Sequence, residues 1–131
     1  MILDASAIVA ILEEAHDFLP LVSRLSRSTT NRISAASYFE TSIVIDARRN
    51  PVLSGRFDEL LGTHKVTIEP VTEGQARIAR QAYRDYGRGS GHPAALNFGD
   101  CFAYALAKDF AEPLLYKGDD FAHTDIRSAL G

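Results

Sequence analysis

Five acidic side chains stand at positions where carboxylates could do chemistry together: Asp4, Glu40, Asp100, Asp119 and Asp120. The first follows an apolar run at residues 1–3, and the last two follow a similar run at residues 114–116. Several carboxylates that share one site repel one another and become protonated unless a cation neutralises them. Because an oxygen-only ligand set favours Mg²⁺ or Mn²⁺ over zinc, the combination predicts a hard-metal site.

A metal site of this kind is typical of metal-dependent nucleases. A bound ion can deprotonate a water molecule and stabilise the leaving oxygen of an in-line displacement at phosphorus. Glu40 is the acid least easily explained by structure alone, because it lies in the otherwise apolar segment 36–43. We place it on the same side of a helix as Ala36, Phe39 and Ile43, where it faces inward or into a cleft. A buried carboxylate needs a partner or a metal.

Each acid also has an ordinary structural interpretation. Asp4 could cap the helix that follows it, and Asp100 could complement the dipole of a helix that begins near Asn97. Glu40 could be a surface acid at a cleft edge. Ser6 is interpreted as a first-turn helix residue whose hydroxyl could orient Asp4. The nuclease hypothesis therefore depends on the acids in combination.

The elements that must position these acids alternate between short strands and helices. Apolar runs predict strands at residues 1–3, 32–34, 66–68 and 114–116. Helical spacing of apolar residues predicts helices at 7–12, 18–25, 35–48, 53–61 and 72–86, and from Asn97 or Gly99 to 110. This alternation is typical of an α/β fold with a parallel sheet covered by helices on both faces. The functional crevice of such sheets lies beyond the carboxyl ends of the strands, where Asp4 and the acids after residue 116 fall.

Two local patterns refine this outline. Thr72 and Gln75 form a capping-box pattern at the start of the fifth helix. The glycine-rich residues 87–93 predict a flexible loop, in which Arg88 and His92 either contact RNA phosphates or are merely solvated. The stripe of Tyr38, Phe39 and Ile43 is assigned to the core or to a subunit interface.

The composition is that of one folded domain without a basic tail. The chain has 131 residues, of which 46% are hydrophobic and 24% charged, which fits a single domain over residues 1–131. The net charge of −3 means that contact with nucleic acid must be local. The single cysteine, Cys101, is expected in the core and gives no reason to invoke an oxidising compartment. With no membrane span or signal peptide expected, we predict a cytoplasmic protein.

Four segments, taken in order, carry a more specific pattern. They are MILDASAIVAIL at residues 1–12, SYFET at 37–41, LNFGDCFAYALA at 96–107 and LLYKGDDF at 114–121. With this set the chain resembles, over essentially its whole length, the VapC-type PIN-domain ribonuclease toxins of bacterial toxin–antitoxin pairs.

The resemblance implies a PIN-like three-layer fold and a Mg²⁺ site formed by Asp4, Glu40 and Asp100, with Mn²⁺ as a substitute. Many members add a fourth acid after the last strand, and either Asp119 or Asp120 could take that part here. The implied reaction is endonucleolytic cleavage of a structured RNA with water as the nucleophile and no covalent intermediate. The implied partners are a cognate VapB-type antitoxin, whose tail occupies the acidic site, and a second copy of the chain in a homodimer.

Three alternatives from other classes remain at this point. A phosphoacceptor receiver module also places acids at strand ends, but it usually has paired acids after its first strand, where this chain has only Asp4. A haloacid-type phosphatase would have a second acid where Ser6 stands. Neither explains Glu40. A catalytically silent PIN domain that only binds a partner is the third alternative.

Overall fold

The fold is a four-stranded parallel sheet with helices on both faces. The computed structural model describes residues 1–131. Its strands are β1 (Ile2–Leu3), β2 (Asn31–Ser34), β3 (Val66–Glu69) and β4 (Leu114–Leu115). Its helices are α1 (Ala5–Leu12), α2 (Phe18–Arg27), α3 (Ala35–Asp46), α4 (Pro51–Thr63), α5 (Glu73–Tyr86) and α6 (Phe98–Phe110), and a 3₁₀ turn covers Asp120–His123. The predicted α/β class is confirmed. None of the helices has the length and apolar character needed to cross a membrane.

The order of the strands decides where a site can form. The order across the sheet is β3-β2-β1-β4, and each neighbouring pair is parallel. The chain moves outward from β1 to β3 and then returns to place β4 on the other side of β1. Crevices of open parallel sheets open at such a reversal, beyond the carboxyl ends of the strands. In this protein that point lies between the ends of β1 and β4.

The core consists of two apolar clusters, one on each face of the sheet. Because side chains alternate along a strand, Ile2 and Leu114 point to one face and Leu3 and Leu115 to the other. The Leu3 cluster includes buried residues of α1, α2, α3 and α4, whereas the Ile2 cluster includes buried residues of α5 and α6. Cys101 belongs to the second cluster, as predicted for a small core residue.

Helix α3 does not turn its predicted apolar stripe to the core. Phe39 and Ile43 are exposed, so the core interpretation is wrong for these two residues and the subunit-interface interpretation is the one that remains. The buried side chains of the helix are Ser37, Thr41 and Ile45. The Thr41 hydroxyl donates a 2.7 Å hydrogen bond to the Ser37 carbonyl, which satisfies its polar group inside the protein. The apolar pattern did not predict the buried face of α3, because two of its three buried residues, Ser37 and Thr41, are polar.

The capping box predicted at α5 forms only in part. The Thr72 hydroxyl accepts a 3.1 Å hydrogen bond from the Gln75 backbone N–H, as expected. The Gln75 side chain does not return the bond but donates to the Asp109 carboxylate of α6 at 3.0 Å. The reason is burial: Gln75 faces α6 in the core and finds its partner there.

The glycine-rich segment after α5 is a series of turns with internal contacts. The His92 ring meets the Tyr86 ring edge-on, with 4.9 Å between centroids. Its Nδ1 accepts a hydrogen bond from the Ala94 backbone N–H at 3.1 Å. His92 therefore has a structural role, whereas Arg88 is exposed.

Candidate active site

Four of the five predicted acids line one open cavity at the carboxyl edge of the sheet. Its volume is about 420 Å³. Besides Glu13, whose carboxylate pairs with Arg48 at 2.8 Å, its lining includes the carboxylates of Asp4, Glu40, Asp100 and Asp120. They come from the end of β1, the middle of α3, the first turn of α6 and the 3₁₀ turn after β4. Asp119 and Asp120 are both exposed, but Asp119 does not line the cavity. The structure therefore favours Asp120 as the acid that follows the last strand.

Asp4 combines a structural position with a place in the cavity. It caps α1 by accepting a 3.0 Å hydrogen bond from the Ser6 backbone N–H, and its own N–H donates to the Leu115 carbonyl at 3.0 Å. The residue is only 4% exposed. Burial raises the pKa of its carboxyl above the ordinary value, with a smaller contribution in the same direction from Asp120, while the hydrogen bonds from Ser6 lower it. The capping interpretation is thus confirmed, and Asp4 lines the cavity as well.

Asp100 is held at the start of α6 by a reciprocal capping box. Its carboxylate accepts a 3.1 Å hydrogen bond from the Asn97 N–H, and its own N–H donates to the Asn97 side-chain oxygen at 2.9 Å. Burial raises the pKa of Asp100 to about 7, and Asp4 and Asp120 push it in the same direction. The bond from Asn97 opposes this shift. The carboxylate is therefore held in place but is costly to ionise unless a positive charge neutralises it.

Glu40 reaches the cavity from α3. It is half-buried, and its carboxyl group lies against Gly99 in the first turn of α6. Burial raises the pKa of this carboxyl, and the charge of Asp4 adds to the rise. The prediction that Glu40 faces a cleft therefore agrees with its position, even though Phe39 beside it is exposed.

One cation, Lys117, lines the same cavity, and the sequence interpretation overlooked it. Its backbone N–H donates to the Ser6 hydroxyl at 3.0 Å, and its ammonium group donates to the His16 carbonyl. The Ser6 hydroxyl therefore joins α1 to the segment after β4, while the Ser6 backbone N–H orients Asp4. The rule that pointed to acids after strands applies equally to Lys117, which follows β4 by two residues.

The donor set suits a hard divalent cation. All the acidic groups of the cavity are carboxylates. Burial raises the pKa values of Asp4, Glu40 and Asp100, and the charge of Asp4 or Asp120 adds to each rise. No three Asp, Glu, His or Cys side chains are already arranged as a metal-binding cluster. The residues fit such an ion in donor type and charge, and binding would require their side chains to draw together.

A larger groove lies between α5 and α6. It has a volume of about 660 Å³, and its lining is mainly apolar and aromatic, with Tyr83, Phe98 and Phe102 among the lining residues. Asn97 lines both the groove and the acidic cavity. Because the groove contains no carboxylate, it cannot supply the acid–base or metal chemistry of the cavity.

Comparisons with known proteins agree on one family. A model of the PIN domain matches residues 1–127. Ribonuclease VapC28 of Mycobacterium tuberculosis is 55% identical over 130 residues, which cover 99% of this chain and 98% of the relative. Ribonuclease VapC42 of the same species is 51% identical over 129 residues, 98% of each chain. Ribonuclease VapC30 is 44% identical over 126 residues, 96% of this chain and 95% of the relative.

Solved structures share the fold. Mycobacterium tuberculosis VapC20, described as a sarcin-ricin loop cleaving toxin, aligns with a TM-score of 0.71 at 17% identity and 95% coverage of both chains. A toxin–antitoxin complex from Klebsiella pneumoniae aligns with a TM-score of 0.70 at 16% identity, covering 95% of this chain and 92% of that one. At such identities the likeness concerns the fold alone.

Proposed function

The chain belongs to the PIN-domain family and to the VapC ribonucleases within it, and from that premise we propose that it is a Mg²⁺-dependent endoribonuclease toxin that cleaves a structured RNA. One observation carries the proposal: the carboxylates of Asp4, Glu40, Asp100 and Asp120, from four separate elements, line a single cavity at the reversal of the strand order. Capping explains Asp4 and Asp100 individually, but it does not explain why Glu40 and Asp120 join them.

The cavity residues divide the chemistry among them. Asp4, Glu40 and Asp100 would hold Mg²⁺, with Mn²⁺ as a substitute, and the bound ion would activate water and neutralise charge on the phosphate. Backbone N–H groups orient Asp4 and Asp100, so these two carboxylates are positioned before substrate arrives. Asp120 is not engaged in a helix cap and can accept the proton of the attacking water. Water adds to phosphorus as one P–O ester bond breaks, its proton passes to Asp120, and the leaving sugar oxygen takes a proton from solvent water.

Cleavage of RNA by single-acid variants tests this function. We expect Asp4→Asn, Glu40→Gln and Asp100→Asn each to lower the cleavage rate in Mg²⁺ by about 100-fold or more, since each removes one of the charges that hold the metal. Asp119→Asn is the matched control and should stay within about twofold of the unmodified protein. Equal activity in the unmodified protein and its three cavity variants would reject the proposed nuclease function. The chain would then be a PIN domain that only binds a partner.

A cognate antitoxin of the VapB type is the proposed protein partner. The Klebsiella neighbour is a toxin–antitoxin complex, and the carboxylates of the cavity attract a basic side chain. An arginine in the antitoxin tail would pair with these carboxylates through charge-assisted hydrogen bonds. A tail peptide with its arginine should inhibit cleavage, whereas the same peptide with alanine there should not. Since the substrate is cellular RNA, the proposed location is the cytoplasm.

We assign the exposed apolar residues of α3 and α6 to a homodimer interface. Phe98, Phe39 and Ile43 are 80%, 64% and 54% exposed. Phe39 and Phe98 precede Glu40 and Gly99 in the chain, and the contact between Glu40 and Gly99 joins α3 to α6. An apolar patch of this kind marks an interaction site, and a second copy would cover it.

The family assignment removes the receiver-module and haloacid-phosphatase alternatives, because a PIN-domain model spans residues 1–127. The silent binding domain is the alternative that the cleavage experiment addresses.

A further inference from the structure

Gly99, the second residue of α6, lies directly against the carboxyl group of Glu40. A Cβ atom at Gly99 would lie 2.7 Å from the Glu40 Cδ and 2.8 Å from its Oε1. Real Cβ atoms essentially never approach other atoms within 3.0 Å. The Glu40 carboxylate therefore occupies the space that a side chain at position 99 would need.

The backbone conformation does not require glycine at this position. Gly99 is helical, and it is not among the residues with positive φ. Glycine weakens a helix relative to alanine, because it loses more conformational freedom on folding. The reason for glycine at position 99 therefore lies in its contact with another helix: the missing side chain leaves room for the Glu40 carboxyl group.

The nearest atoms in conflict are those of a side-chain end. The three nearest neighbours of a Cβ at Gly99 all belong to the Glu40 carboxyl group. At Gly87, by contrast, the nearest atom is the backbone carbonyl oxygen of Tyr83. A methyl group at position 99 would thus displace a flexible carboxylate and leave the backbone in place. A Gly99→Ala substitution should therefore alter the geometry of the acidic cavity without lowering the stability of the fold.

We propose that Gly99 is a positioning residue: its missing side chain lets the Glu40 carboxylate sit beside the first turn of α6, in the same cavity as Asp4 and Asp100. The first turn of α6 also favours negative charge through its backbone N–H groups. The consequence for catalysis rests on the proposed nuclease function, whereas the consequence for the Glu40 position does not.

The experiment compares Gly99→Ala with Gly74→Ala in the full chain. Gly74 is the second residue of α5, and the nearest atom to a Cβ there is the Thr72 hydroxyl oxygen at 3.8 Å, an ordinary contact. Both variants should melt at or above the temperature of the unmodified protein without added metal. Gly99→Ala should lower the RNA cleavage rate at least tenfold and at least halve the rise in melting temperature produced by Mn²⁺. Gly74→Ala should preserve both.

A double-variant cycle with Glu40→Ala tests whether Gly99 acts through Glu40. Once the carboxylate is removed, adding Gly99→Ala should lower neither the cleavage rate nor the Mn²⁺ shift further. A crystal structure of Gly99→Ala should show the Glu40 carboxylate displaced from the cavity.

Four results would each overturn the proposal. They are cleavage by Gly99→Ala within twofold of the unmodified protein, full additivity in the cycle, a melting temperature well below that of Gly74→Ala, and an undisplaced Glu40 carboxylate. If the unmodified protein cleaves no RNA, the nuclease proposal fails by itself. The crystal structure would then still decide the role of Gly99.

Discussion

The backbone N–H of Asp4 donates a 3.0 Å hydrogen bond to the carbonyl of Leu115, and this bond joins the carboxyl ends of the first and last strands. Residues 4 and 115 are far apart in the chain, but the parallel pairing of β1 and β4 makes them neighbours. The acid after β4 is thereby brought to the acid after β1. The pKa of Asp4 is raised in part by the charge of Asp120, which follows from this pairing.

Stability without divalent ions should depend on pH through Asp100. Its pKa in the folded protein is about 7 against an ordinary value of 3.8, so the folded state holds this proton more tightly than the unfolded state. The stabilisation is present below about pH 4 and is lost as the pH rises to about 7. We expect the unfolding free energy to fall by about 2 kcal/mol more over this range in the unmodified protein than in Asp100→Asn, after allowing for solvent screening. Urea denaturation at several pH values measures this, and parallel curves would refute the prediction.

Divalent ions should stabilise the fold. On the proposed function, Mg²⁺ or Mn²⁺ would relieve the repulsion among the cavity carboxylates of the folded chain, so it should raise the melting temperature by a few degrees at millimolar concentration. The rise should be smaller in Asp100→Asn, because one ligand is missing. Asp119→Asn provides the comparison with an exposed acid outside the cavity. An equal rise in both variants would remove Asp100 from the metal site.

Lys117 should contribute to binding of the RNA phosphate. It is the cation that lines the acidic cavity, and its ammonium group is held by the His16 carbonyl, outside any ion pair. We expect Lys117→Met to raise KM for RNA about three- to tenfold and to reduce the dependence of binding on salt, because one phosphate contact is lost. Lys117→Arg should retain most of the binding. The same loss in Lys65→Met, an exposed lysine that does not line the cavity, would point to a general charge effect instead.

The apolar face of α3 and α6 should mediate dimerisation. Phe98→Asp places a charge on the most exposed large apolar residue and should shift the protein from dimer to monomer in analytical ultracentrifugation. Val52→Asp alters a similarly exposed residue on α4 and is the matched control. A monomeric unmodified protein, or a dimer that survives Phe98→Asp, would contradict this assignment. Circular dichroism should show that both variants remain folded.

Local patterns in the sequence were sufficient to predict the elements. Strand runs and helical spacing are short-range properties, so all four strands and six helices lie where the patterns place them, with ends that differ by a few residues. The position of Asp4 after a strand also predicted its place at the carboxyl edge, because parallel strands end at a common edge. Likewise, a residue three positions after Asn97 is where a helix cap accepts a carboxylate, and Asp100 is found there.

Only the tertiary structure decided the relations between elements. It distinguished Asp120 from Asp119, turned Phe39 to the surface, and brought Gly99 against Glu40. Each of these depends on how far one helix or turn is rotated about its axis as it packs on its neighbours. That rotation is set by close packing of side chains from distant parts of the chain. The spacing of residues along a single segment therefore does not determine it.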